Sequence, residues 1–211
     1  KLLRQACDKY NLHLIADEIA VGFGRTGTMF AYEQSKITPD IICLSKGITG
    51  GYMTLSTILT TDNIYNAFYD EYTKLNAFLH SHSYTANPIA CATANASLDL
   101  FEKNNTLKNN KTLSKYILES LSDLWEHPNV GDIRQHGMIT AVEMVKNKTK
   151  NIPFNWKERR GLKAYNFGLK HNVLIRPLGN VIYFMPPYII KKKEIDLVTN
   201  TIKGAIDFAT K

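Results

Sequence analysis

The sequence predicts an α/β fold, a mostly parallel sheet that takes one antiparallel strand, followed by a smaller α+β domain. Residues 12–17 and 41–46 are short apolar runs that end on charged side chains, Asp17 and Lys46, as strands covered on both faces do. Residues 18–40 between them are long enough for the crossover that parallel neighbours require. Only Gly47 to Tyr52 separates Lys46 from a third, β-branched run at Met53–Thr61. That is too short to cross over, so this strand, if it pairs with its predecessor, runs antiparallel.

The remaining elements follow in order. Leu2, Leu3, Ala6 and Tyr10 mark an amphipathic helix at the start. The chain enters it without a Met, which predicts a sequence truncated at its N-terminus. In Ala86-Asn87-Pro88, Asn suits a helix N-cap and Pro the first turn. A long helix narrowed by Ala90, Ala92, Ala94 and Ala96 should follow and run out in the polar stretch Phe101–Asn105. That stretch divides the chain into expected domains at 1–103 and 104–211. Beyond it Leu113, Ile117, Leu121 and Leu124 keep helical spacing, and Val130–Arg134 and Met138–Val145 read as strands around His136-Gly137. A helix over 156–170, a hairpin of Val173–Arg176 with Val181–Met185, and a last helix on Ile195, Val198, Ile202 and Ile206 complete the chain.

Composition narrows the function. The 211 residues carry 26 basic and 19 acidic side chains, a net +7, and 44% are apolar, as in soluble globular proteins. The basic residues are scattered apart from Lys191–Lys193, and aromatics do not interleave with them. A solvated face is therefore expected, with small molecules as ligands and neither nucleic acid nor membrane as partner. Cys7, Cys43 and Cys91 lie far apart without C-x-x-C spacing, so they read as reduced thiols of a cytoplasmic protein. No window approaches the roughly 20 apolar residues of a membrane helix.

Asp17 and Lys46, at the ends of strands expected to be parallel, should share the sheet edge where ligands collect in α/β folds. An acid and an amine there read either as an ion pair or as a pyridoxal phosphate site. In the second reading a carboxylate keeps the ring nitrogen protonated and a lysine holds the aldehyde as a Schiff base. Ile41, Ile42 and Leu44 are expected to desolvate that lysine, and Gly47, Gly50 and Gly51 to give the backbone room around a bulky ring. A rival pattern lies between the two residues. Gly22, Gly24 and Gly27 match G-x-G-x-x-G, with Asp40 at about the distance of a ribose-binding acid, the signature of an NAD-dependent dehydrogenase. Its context is wrong: Glu18–Val21 separate the strand from the first Gly, and Thr28–Phe30 show no helix start. A noncatalytic binding module is a further alternative. His80 and His82, two apart with no Cys or carboxylate nearby, make a poor metal pair, and no metal is expected.

The stretches Ile15–Gly27 and Pro39–Gly51 resemble the signature of class III pyridoxal-phosphate aminotransferases, and the similarity continues through His80–Pro88 into the C-terminal segment. The resemblance implies a fold-type-I transferase: the C-terminal part of the large cofactor-binding domain and the small C-terminal domain, with the family's N-terminal half absent. It implies Asp17 on the pyridine nitrogen and Lys46 as the Schiff-base and proton-transfer residue. Ser83 would hold the cofactor phosphate of the neighbouring subunit, which makes the protein a homodimer. Arg176 would receive a substrate carboxylate, suited by its planar fork, with Arg25 and His82 as further substrate contacts. Tyr84 and Ala86 stand where Phe and Gly are more usual, and His82 where Pro is frequent. Met53–Thr57, Ala90–Ser97 and Ile175–Tyr188 resemble the branch that works in biotin biosynthesis with S-adenosylmethionine as amino donor. Enzymes for ornithine, acetylornithine or 4-aminobutyrate are the alternatives within the class. Without the N-terminal half, these residues alone are expected to bind cofactor poorly and to be inactive.

Overall fold

The computed structural model describes residues 1–211, which form two compact units, Lys1–Leu107 and Lys108–Lys211. In the first, helix α1 (Leu2–Tyr10) precedes β1 (Ile15–Asp17), β2 (Ile41–Leu44) and β3 (Thr57–Thr60); α2 (Asp62–Asn66) and α3 (Pro88–Lys103) follow. The sheet order is β1-β2-β3. β1 runs parallel to β2, with Asp17 opposite Cys43. β3 runs antiparallel to β2, with Leu44 opposite Thr57, as the short connection requires.

All three strands are shorter than their apolar runs, for local reasons. Before β1, the Leu14 amide donates to the Asp40 carboxylate at 2.7 Å instead of joining a ladder. β2 stops at Leu44 because Lys46 turns into the left-handed region at φ 46 and opens a 3-10 turn, Lys46–Thr49. β3 starts late because the Thr49 and Ser45 hydroxyls take the Met53 and Leu55 carbonyls at 2.5 and 2.8 Å. Helix α3 starts where expected: the Asn87 side chain accepts from the Ile89 and Ala90 amides at 3.0 and 3.1 Å. Of its alanines only Ala90 and Ala94, one turn apart, are buried, whereas Ala92 and Ala96 face outward. The small core of this unit joins Phe23, Leu44, Ile48 and Ala94, flanked by Phe30, Ile42, Leu55 and Phe101.

The second unit holds α4 (Thr106–Ser120, begun just before the division), β4 (Val130–His136), β5 (Ile139–Asn147), β6 (Ile152–Pro153), α5 (Arg160–Lys170), β7 (Arg176–Leu178), β8 (Val181–Phe184) and α6 (Lys192–Thr210). Its antiparallel sheet has the order β4-β5-β8-β7, with β6 on β5. Thr140, Val142 and Met144 alternate inward along β5 against Ile117, Leu121, Ile195 and Ile206. Helix α5 begins at Arg160 rather than 156. Asn155 first caps a 3-10 turn over Trp156–Glu158, and Arg159 then takes a left-handed φ of 49. The hairpin also starts later than its apolar pattern. Val173 and Ile175 are buried without being strand, because the Val173 amide is spent on the Gly168 carbonyl closing α5. No helix is long and apolar enough to cross a membrane, and Cys7, Cys43 and Cys91 are free thiols.

Two contacts give expected outcomes. On α5, a Cβ at Gly161 would lie 2.3 Å from the Gly179 carbonyl oxygen and 2.7 Å from the Pro177 Cβ, so the helix meets the β7–β8 hairpin through bare backbone. Gly161→Ala should destabilise the protein by about 1–3 kcal/mol through overpacking, read by urea unfolding; an unchanged midpoint would show the helix free to move away. At Asp40, the Leu14 amide and then the Arg4 guanidinium, 2.6 Å away, hold the carboxyl below its ordinary 3.8. A carboxyl depressed in the folded state contributes stability above its unfolded value and loses it as pH falls through the folded one. Asp40→Asn should therefore lower the Tm at pH 7, and the difference should shrink below about pH 4.

Candidate active site

Parallel pairing of β1 and β2 brings Asp17 and Lys46 to one end of the sheet. Asp17 ends β1 opposite Cys43, and Lys46 lies just past the end of β2. The Asp17 Oδ1 accepts from the Ile19 amide at 3.0 Å, an Asx turn that fixes the carboxylate. Both side chains are exposed, and they form no ion pair with each other. The ion-pair reading of the two residues therefore falls away. Ile41, Ile42 and Leu44 do not cover the Lys46 side chain, which is exposed where the backbone turns at Lys46 itself, φ 46.

The glycine loop after β1 is built around a residue that sequence reading passed over. Glu18 is 2% exposed. Its Oε2 and Oε1 accept from the Ala31 and Tyr32 amides at 2.9 and 2.8 Å. Those amides open a 3-10 turn of only five residues, Ala31–Ser35, so the donors that would face a pyrophosphate are already held by a carboxylate. Asp40, the would-be ribose acid, is engaged by Leu14 and Arg4. The dinucleotide pattern Gly22/Gly24/Gly27 thus makes no dinucleotide site. The signal for Glu18 was present in the Asp-Glu pair, but a second carboxylate beside Asp17 reads as surface charge until the fold buries it.

The other candidates divide between the units. Arg25 is half-buried on the glycine loop, between Gly24 and the buried Thr26, whose carbonyl accepts from the Gln34 amide at 3.0 Å. Ser83 and His82 lie in an exposed turn shortly before α3. The His82 amide donates to the Thr85 hydroxyl at 3.0 Å, and its Nδ1 accepts from the Tyr84 amide at 3.1 Å, which leaves the proton of the neutral ring on Nε2. In the second unit, exposed Arg176 opens β7 opposite Tyr183, beside the Pro177 that α5 rests against.

Comparison with known proteins identifies the family. The family model described as aminotransferase class-III matches residues 1–206. The adenosylmethionine-8-amino-7-oxononanoate aminotransferase of Geobacter sulfurreducens is 47% identical over 210 residues, covering all of this chain and 46% of that protein. The crystal structure of the enzyme so named from Methanocaldococcus jannaschii superposes with a TM-score of 0.91 at 38% identity, over 96% of this chain and 47% of that one. The omega transaminase of Pseudomonas jessenii, in complex with PMP, gives 0.92 at 29% identity, over 99% of this chain and 46% of that one. The chain spans about half the length of the relatives it matches. Its fold is that of the fold-type-I transaminases, and, with the match running through both units, the chain belongs to the class III aminotransferases.

Proposed function

We propose that the full-length protein carrying this chain transaminates 8-amino-7-oxononanoate to 7,8-diaminononanoate with S-adenosylmethionine as amino donor, in biotin biosynthesis, using pyridoxal 5′-phosphate. The observation that carries this reading is the exposed acid and amine at one end of a parallel strand pair, left unneutralised by each other. This donor set fits the cofactor, which needs an anion at its ring nitrogen and a primary amine at its aldehyde. The relatives' names support the substrate pair.

When bound, pyridoxal phosphate supplies an electron sink for charge leaving the substrate Cα. The residues divide the remaining work. Asp17 holds a proton on the ring nitrogen, and its Asx turn keeps the carboxylate aimed. Lys46 would hold the cofactor at its aldehyde and, as a primary amine, would take up and return the proton that leaves the substrate Cα. Arg176 seats the carboxylate of the keto substrate in its planar fork. Arg25 and His82 shape substrate acceptance. Ser83 donates its hydroxyl to the phosphate of the cofactor in the second copy of a homodimer. Three free thiols agree with a cytoplasmic location. The first unit is read as the C-terminal part of the large cofactor-binding domain, and the second as the small domain.

Borohydride reduction of the full-length protein loaded with pyridoxal phosphate should fix the cofactor on Lys46, located by peptide mapping; an unmodified Lys46 overturns the assignment. Lys46→Ala should lower turnover by roughly 10²–10⁴-fold. Arg176→Lys should raise KM for the keto acid by roughly 10-fold or more while leaving the half-reaction with the amino donor unchanged, as stopped-flow bleaching would show. If ornithine or glutamate bleaches the cofactor and S-adenosylmethionine does not, the protein is another aminotransferase of the class.

A further inference from the structure

We propose that Glu18 is a positioning residue for transamination: by folding the glycine loop it presses Phe23 onto Gly47 and so fixes the backbone of Lys46 relative to Asp17. The proposal rests on the functional reading above and deepens it.

Glu18 follows Asp17 directly and forms no ion pair with any cation. A buried carboxylate is costly unless hydrogen bonds replace its water, and here two main-chain amides do so, one on each oxygen. The main chain of Glu18 is engaged as well. Its amide donates to the Cys43 carbonyl at 3.0 Å, in the strand that leads to Lys46, and its carbonyl accepts from the Gly22 amide at 2.8 Å. A Cβ at Gly22 would lie 2.8 Å from that same carbonyl oxygen, so the loop can close only over glycine.

From there the path reaches Lys46 through packing. Ala31 and Tyr32, held by the carboxylate, follow Phe30, whose ring meets Phe23 edge-on at 5.6 Å and 74°. Phe23 is 3% exposed and sits at a left-handed φ of 54. A Cβ at Gly47 would lie 2.8 Å from the Phe23 Cβ and 3.0 Å from its Cδ2. Phe23 therefore bears on the backbone of the residue bonded to Lys46, which itself stands at φ 46. Two non-glycine residues in the left-handed region are strained and persist where their surroundings over-determine them. The circuit closes on itself: Asp17, Glu18, the amides of the 3-10 turn, Phe30, Phe23, Gly47, Lys46, and back through Cys43.

The test uses the full-length holoenzyme. Glu18→Gln keeps the size of the side chain but sets an NH₂ group against one amide donor. It should slow the half-reaction with the amino donor by roughly 10- to 100-fold, with KM changed far less. It should also shift the pH midpoint of the visible band of the Lys46-bound cofactor and speed hydrogen exchange at Ala31 and Tyr32. Phe23→Leu, at the other end of the path, should reproduce the kinetic and spectral changes, and the double variant should do no more than either single one. Wild-type rate and spectrum in a folded Glu18→Gln protein, or additive effects in the double variant, overturn the proposal. If Glu18→Gln does not fold, Phe23→Leu decides by the same rate and spectrum. Wild-type protein that borohydride fails to label on Lys46 overturns the functional reading and this one together; labelled wild type with unchanged variants overturns this one alone.

Discussion

The parallel hydrogen bonding of β1 to β2 is the constraint on which the site depends. Side chains alternate along a strand, so a slip of one residue would turn Asp17 to the opposite face. The register is held at both ends of the pair. Asp40, just before β2, takes the Leu14 amide just before β1, and the Glu18 amide just after β1 takes the Cys43 carbonyl within β2. A carboxylate at one end and a main-chain bond at the other leave three residues of β1 nowhere to slide.

Two of the left-handed non-glycine residues stand beside the proposed site. Lys46 and Phe23 both stand at positive φ, and the surrounding loop is tied by the Ser45, Thr49 and Glu18 side chains rather than by a large core. Phe23 also belongs to the cluster of buried residues that includes Leu44, Ile48 and Ala94.

Much of this was legible in the sequence, and the remainder was not for identifiable reasons. The antiparallel sense of β3 followed from the length of Gly47–Tyr52, and the start of α3 from Asn87-Pro88, because loop reach and capping are local. The strand limits were missed because Leu12–Leu14 and Met53–Leu55 are apolar enough for strands, yet the side chains of Asp40, Thr49 and Ser45 claim backbone groups of Leu14, Met53 and Leu55. Val173–Ile175 looked like strand for a similar reason, since burial alone produces an apolar run whether or not a ladder forms. Asp17 and Lys46 were legible as strand-end charges. Glu18 was not, because its role depends on where residues 31 and 32 come to lie, and nothing in the local sequence marks the amides of two ordinary residues as its partners.

The glycine contact between α5 and the β7–β8 hairpin has a consequence for how such a protein can diverge. Gly161 meets the Gly179 carbonyl and the Pro177 ring with no side chain of its own to adjust, so exposed positions of α5 such as Leu162 and Leu169 are free to drift without displacing the guanidinium that opens the hairpin. Gly161 is not. Sequence change in the hairpin is therefore easier to accommodate at exposed Leu178 than by shifting the helix behind it.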